Sequence, residues 1–143
     1  MKLKSMFLIG LIMGIVVLLA LKTIGAVNTN PKYAASPSQA TAIEQAKQHG
    51  QPAWLLFHSA TCESCIEMEK IYETLKPEFA GKVAFVNIDV NDPNEKRLLA
   101  QYKIKTIPAT YFQDGKGKIV WQNVGVIPIA EMRAKLQALA TGK

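Results

Sequence analysis

Residues Ala53–Cys65 read AWLLFHSATCESC, and this stretch decides the fold. Ala53–His58 is an unbroken apolar run ending in histidine, placed directly after Pro52, and such a run reads as a strand buried on both faces. Two cysteines, the only two in the chain, follow at Cys62 and Cys65. Beyond them, apolar positions at Cys65, Ile66, Ile71, Tyr72 and Leu75, spaced by glutamates and lysine, predict an amphipathic helix from Cys62 to Lys76, stopped near Pro77. A strand feeding a helix through a Cys-x-x-Cys turn is the local pattern from which the rest is built.

Working toward the N-terminus, Gln39–His49 predicts a short helix closed by Gly50, a position that favours a left-handed residue. Toward the C-terminus, Val83–Ile88 predicts a strand. Asn91 or Asp92 then caps a helix with Pro93 in its first turn, running to about Tyr102. Ala109–Gln113 and Lys118–Val124 flank Asp-Gly-Lys-Gly and predict a hairpin. A last helix starts at Pro128, with Ile129, Met132, Leu136 and Leu139 at helical spacing. The order α-β-α-β-α-β-β-α implies an α/β fold, a mixed four-stranded sheet with helices on both faces and a right-handed parallel crossover.

The chain of 143 residues has room for one core of the usual size, and 49% hydrophobic against 20% charged residues is the composition of a folded protein. Its net charge of +6 is not spread over the domain. Lys2, Lys4, Lys22 and Lys32 flank the uncharged run Met6–Leu21, leaving 13 Lys plus Arg against 11 Asp plus Glu from Tyr33 onward. Positive residues beside an apolar segment suit membrane topology, whereas a nucleic-acid surface needs a basic stripe on the folded part, so nucleic acid is not expected as a partner. Residues 1–27 are read as an uncleaved membrane anchor, N-terminus cytoplasmic and the remainder outside, in a single-pass cell-membrane protein. Cleavage as a signal peptide would leave the domain secreted. Residues 28–37, rich in Pro, Asn and Ser, read as a linker, and residues 38–143 as the domain.

A disulfide between cysteines three apart closes almost no loop and stabilises little, so the pair is better suited to chemistry than to bracing. At a helix start, unpaired N–H groups and the helix dipole favour a thiolate, the attacking species. This makes Cys62 the expected nucleophile and Cys65, one turn inward, the resolving thiol. Glu63 adds a negative charge beside Cys62 that disfavours the thiolate, which points toward a reductant or exchange shuttle; Glu63 and Ser64 are the expected tuning residues. Two other readings stay open: a metal-binding module using Cys62, Cys65 and a histidine, His49 or His58, and a scaffold whose disulfide is inert. Met68, Met132, Trp54 and Trp121 read as packing residues, and Glu67, Glu69 and Glu73 as a solvated helix face.

From residue 38 onward the sequence resembles the thioredoxin family. The features that carry the resemblance are the strand before Cys62 and Cys65, Ile107-Pro108 before the hairpin, and Gly125 shortly before the last helix. The 42 residues between Cys65 and Pro108 are closer to plain thioredoxin than to its cytochrome-maturation branch. The resemblance implies a thioredoxin-like fold lacking a clear counterpart of the family's first strand. It also implies a cis Pro108 that shapes the substrate cleft and keeps metals off the thiols, an Ile107 that bonds the substrate main chain, Gly125 beside them, and no cofactor beyond the Cys62–Cys65 disulfide. Its implied partners are protein thiols or disulfides outside the cytoplasm, such as an apocytochrome, and a membrane electron-donor protein. Thr61 stands where the family has tryptophan, Glu63-Ser64 where it has Gly-Pro, Leu56 in place of a buried aspartate and Phe85 near its lysine partner. With that aspartate missing, His58 is the nearest titratable candidate for proton acceptor.

Overall fold

The computed structural model describes residues 38–142. The expected anchor over residues 1–27, with its membrane helix, and the linker 28–37 lie outside the described residues. Among the described residues no helix is long and apolar enough to cross a membrane.

The elements are α1 (Gln39–Gln48), β1 (Ala53–His58), α2 (Glu63–Leu75), β2 (Ala84–Asp89), α3 (Lys96–Gln101), β3 (Ala109–Gln113), β4 (Ile119–Val124) and α4 (Ile129–Thr141). Single 3-10 turns lie at Pro77–Phe79 and Pro93–Glu95. The four strands form one sheet in the order β2-β1-β3-β4, with β1 parallel to β2 and antiparallel to β3. No strand precedes α1 among the described residues. The helix expected to run unbroken from its cap to Tyr102 is instead a tight turn followed by α3. Asp92 caps the turn by accepting from the Asn94 N–H at 2.9 Å, and Pro93 occupies its first position.

All six residues of β1 are buried, as the central position of this strand requires. Alternate side chains leave a strand on opposite faces, and the two faces of β1 build two cores. Trp54 and Leu56 join Met68, Tyr72 and Leu75 of α2 with Met132 and Leu136 of α4. Ala53, Leu55 and Phe57 join Ile43 and Ala46 of α1 with Leu98 and Tyr102. Trp54 centres the first core, its ring 4.9 Å from Tyr72 and 5.1 Å from Phe85. Each large side chain so buried contributes about 1.5–3 kcal/mol. Trp121 lies half-buried on β4, with the Lys135 ammonium 4.5 Å above its ring.

The start of α1 is held from far along the chain. The Glu95 carboxylate, 2% exposed, accepts from the Gln39 N–H at 2.7 Å and from the Ser38 hydroxyl at 3.0 Å. One helix N-terminal N–H and the hydroxyl of the capping serine thereby share an acceptor, an acid 57 residues from Ser38. At the other end of α1, Gly50 takes the expected positive φ of 64°.

Topology gathers the candidate site at one end of the sheet. His58 ends β1 in register with Asp89 of β2, while Phe57 pairs with Ala109 at the start of β3, and Ala109 with Val124 at the end of β4. The Cys62 turn, Pro108 and Gly125 therefore all emerge at the same edge, where α2 begins.

Candidate active site

Between β1 and α2 the chain makes a hydrogen-bonded turn. The Cys62 N–H donates to the Ser59 carbonyl at 3.2 Å, and the N–H groups of Cys65 and Ile66 donate to the Cys62 carbonyl at 3.0 and 3.1 Å. Beneath it, the Ser59 hydroxyl lies 3.0 Å from Thr61 Oγ1 and accepts from Asn91 Nδ2 at 2.8 Å, which ties the turn to the loop after β2. Cys62 is the N-cap of α2, in extended conformation with φ −101° and ψ 118°. No side-chain bond caps the helix, and backbone N–H groups of its first turn, at Cys65 and Ser64, bond to the Cys62 sulfur.

Both cysteines are free thiols; Cys62 is half-exposed and Cys65 fully buried. The Cys62 thiol is held below its ordinary value, first by a hydrogen bond from Cys65 and then by Ser64, whose hydroxyl lies 3.3 Å from Cys62 Sγ. The disfavoured thiolate expected from Glu63 is thus corrected: Glu63 is exposed, and the bonds from Cys65 and Ser64 set the direction. Burial pushes the Cys65 thiol up to about 11, with its bond to Cys62 adding to the rise and a backbone hydrogen bond from Ser59 opposing it. One sulfur is built to attack and its neighbour to hold its proton until needed.

The Ile107–Pro108 peptide bond is cis, with Pro108 buried and Ile107 half-buried. The Pro108 carbonyl accepts from the Gly125 N–H at 2.8 Å, so two of the positions named from the sequence meet directly. Gly125 has φ 97°, a conformation that side chains rarely adopt. Two of the large apolar side chains left exposed, Ile66 at 41% and Val124 at 56%, belong to this end of the molecule.

Leu56 is fully buried, and Phe85 packs against Trp54 and Tyr72, so neither position offers a charge. His58 is 8% exposed and its Nδ1 has no hydrogen-bond partner among the described residues. That nitrogen lies 3.9 Å from Glu69 Oε2, while Glu69 Oε1 accepts from Asn87 Nδ2 at 3.1 Å. The solvated face expected for Glu67, Glu69 and Glu73 is corrected at Glu69, which turns inward to β1 and β2. Its spacing of four from Cys65 was the available signal, since residues four apart share a helix face. Asn87 and Asn91, both part of the supporting network, carried no such signal.

Among the described residues no group of three or more His, Cys, Asp and Glu is arranged to hold a metal ion. His49 ends α1 with its Nδ1 2.7 Å from the Gln45 carbonyl.

Fold and site together define a class: an α/β domain presenting a pair of thiols at the head of a helix, beside a cis-proline. The chain belongs to the thioredoxin-like family, whose domain model, described as a thioredoxin-like domain, matches residues 39–140. It is similar to the chloroplastic thioredoxin-like protein HCF164 of Arabidopsis thaliana, 27% identical over 106 residues covering 74% of this chain and 41% of that protein. It is also similar to the thiol:disulfide interchange protein TxlA of Synechococcus elongatus, 27% identical over 101 residues, 71% of this chain and 53% of the relative. The chain thus matches only about half the length, or less, of these relatives. In structure it resembles thioredoxin O2 from Arabidopsis thaliana in its oxidised state, with a TM-score of 0.62 at 19% identity over 72% of this chain and 90% of that one, which speaks for the fold.

Proposed function

We propose that this protein exchanges disulfides with protein partners outside the cytoplasm, held at the membrane by residues 1–27. The observation that carries the exchange reading is the division of labour between the two sulfurs. Cys62 is half-exposed and acidified, and Cys65 is buried with its thiol near 11. Cys62 attacks a partner disulfide to form a mixed disulfide, and Cys65 then displaces the partner by closing the Cys62–Cys65 bond. Ile107, ahead of the cis-proline, offers its backbone to an extended partner segment, and Pro108 and Gly125 shape the cleft. The reaction needs no cofactor beyond that disulfide, and a membrane dithiol protein restores the reduced pair. The external location rests on the sequence pattern of residues 1–32, an apolar run flanked by lysines.

The test is a trapping experiment with the full chain. Cys65→Ala is expected to accumulate mixed disulfides at Cys62 with protein clients, resolved by mass spectrometry, while Cys62→Ala accumulates none. Equal trapping by both variants would refute the assignment of nucleophile. Clients confined to cytoplasmic proteins would refute the location.

A further inference from the structure

Glu69 sits among three groups that only the folded chain brings together. Asn87 donates to its Oε1 at 3.1 Å, and His58 Nδ1, buried and without a hydrogen-bond partner among the described residues, lies 3.9 Å from its Oε2. Cys65 lies one helical turn before it on the same face of α2. Strand alternation explains the meeting. Leu56 and His58 leave β1 on the face that α2 covers, and Asn87 and Thr110, the two residues in register with Leu56, leave their strands on that same face. Leu56 at the centre of this row is pure hydrocarbon. Along α2, the carboxylate whose charge the buried thiol of Cys65 feels is that of Glu69.

We propose that Glu69, its carboxylate held by Asn87 and facing His58, accepts the proton that Cys65 releases when it resolves a mixed disulfide; this inference rests on the exchange reading above. In the first step the Cys62 thiolate attacks one sulfur of a protein disulfide, the partner's S–S bond breaks, and the departing partner thiolate takes a proton from solvent. In the second, Cys65 passes its proton to the Glu69 carboxylate and attacks Cys62 Sγ. The Cys62–Cys65 bond forms, the mixed disulfide breaks, and the second partner thiolate leaves and is protonated. Two electrons pass from the dithiol to the partner, and a dithiol protein must return them.

The need for an acceptor follows from the setting of Cys65. With its thiol near 11, about one molecule in ten thousand is ionised at pH 7, so an unaided thiol would resolve slowly. The negative charge of Glu69 itself adds to that rise. The groups facing Glu69 are His58 from β1 and the neutral Asn87 from β2, with Asp89 in register with His58 beyond it. Cys65, Tyr72 and Glu73 neighbour it on α2, where Tyr72 feels both glutamate charges.

Reduced full chain mixed with dithiobis(nitrobenzoate) separates the two steps, because attack by Cys62 releases one thionitrobenzoate and resolution by Cys65 the second. Glu69→Gln is expected to keep the first release and slow the second by about tenfold to a hundredfold at pH 7, a loss at or below the usual range for general base catalysis. Its second phase should then climb with each pH unit toward the ionisation of the thiol, whereas the wild-type phase levels off at lower pH. Glu69→Asp, which keeps a carboxylate, should follow the wild-type pH profile at a reduced rate. Were Glu69 only a nearby charge, its removal would ease Cys65 ionisation and speed the second release. A second phase in Glu69→Gln as fast as wild type or faster therefore overturns the proposal, as does a Glu69→Asp profile matching that of Glu69→Gln. A wild-type chain that gives no first release instead overturns the exchange reading itself.

Discussion

Alkylating the reduced chain with iodoacetamide between pH 6 and 11 reads the division between the sulfurs directly. A thiol near 11 is ionised in about one molecule in ten thousand at pH 7, and one below the ordinary 9.0 in at least about one in a hundred. The thiolate fractions therefore differ by at least about a hundredfold. The more basic thiolate is the better nucleophile, by about tenfold over two pKa units, and this offsets part of the advantage. Cys62 should still react at least about tenfold faster, before the full burial of Cys65 widens the gap. Peptide mapping by mass spectrometry, sampled over time at each pH, gives both rates. The Cys62 rate should pass its midpoint below pH 9, and that of Cys65 at about pH 11. In Cys65→Ala the strongest bond to the Cys62 sulfur is gone, so its profile should move to higher pH, and Ser64→Ala should move it less. Equal labelling at pH 7, or a Cys62 profile that stays put in Cys65→Ala, would refute the reasoning.

Two further outcomes follow from the scaffold. Glu95→Ala leaves the Ser38 hydroxyl and the Gln39 N–H without their shared acceptor, and should cost about 2–3 kcal/mol in denaturant unfolding, with little effect on the thiol reactivities. Asp114 is held below the usual carboxylate range, foremost by the Lys118 N–H and also by that of Lys116, each 2.9 Å from its Oδ1. A lowered folded-state pKa supplies stability above the unfolded value of 3.8 and loses it as pH falls through the folded value. Thermal midpoints should drop over that acid window, and drop less in Asp114→Asn.

The elements were legible wherever one local pattern dominated. Ala53–His58 is apolar throughout because the strand is covered on both faces, and Gly50 and Pro128 mark helix ends through backbone preferences that need no tertiary partner. The Cys62 turn was legible for the same reason, since its chemistry is written within four residues. Glu69 was not. On sequence it is one of several acids on α2, and what distinguishes it is the rotation of that helix over the sheet, which places it and not Glu67 toward His58 and Asn87. Glu95 was hidden likewise, since its two donors lie at the far end of the domain's sequence. Glu63 misled because a charge adjacent in sequence was weighed without the hydrogen bonds from Cys65 and Ser64, which act at the sulfur itself.

The turn that carries Cys62 grows out of the one strand whose six residues are all buried and which is flanked on both sides by neighbours of the same sheet. Amides in such a strand are expected to exchange through large-scale opening, whereas those of an edge such as β4, with Ile119, Val120 and Val124 turned outward, are expected to open locally. The reactive turn is therefore moored to a strand covered on both faces and paired on both edges, and its amides are expected to exchange more slowly than those at the β4 rim.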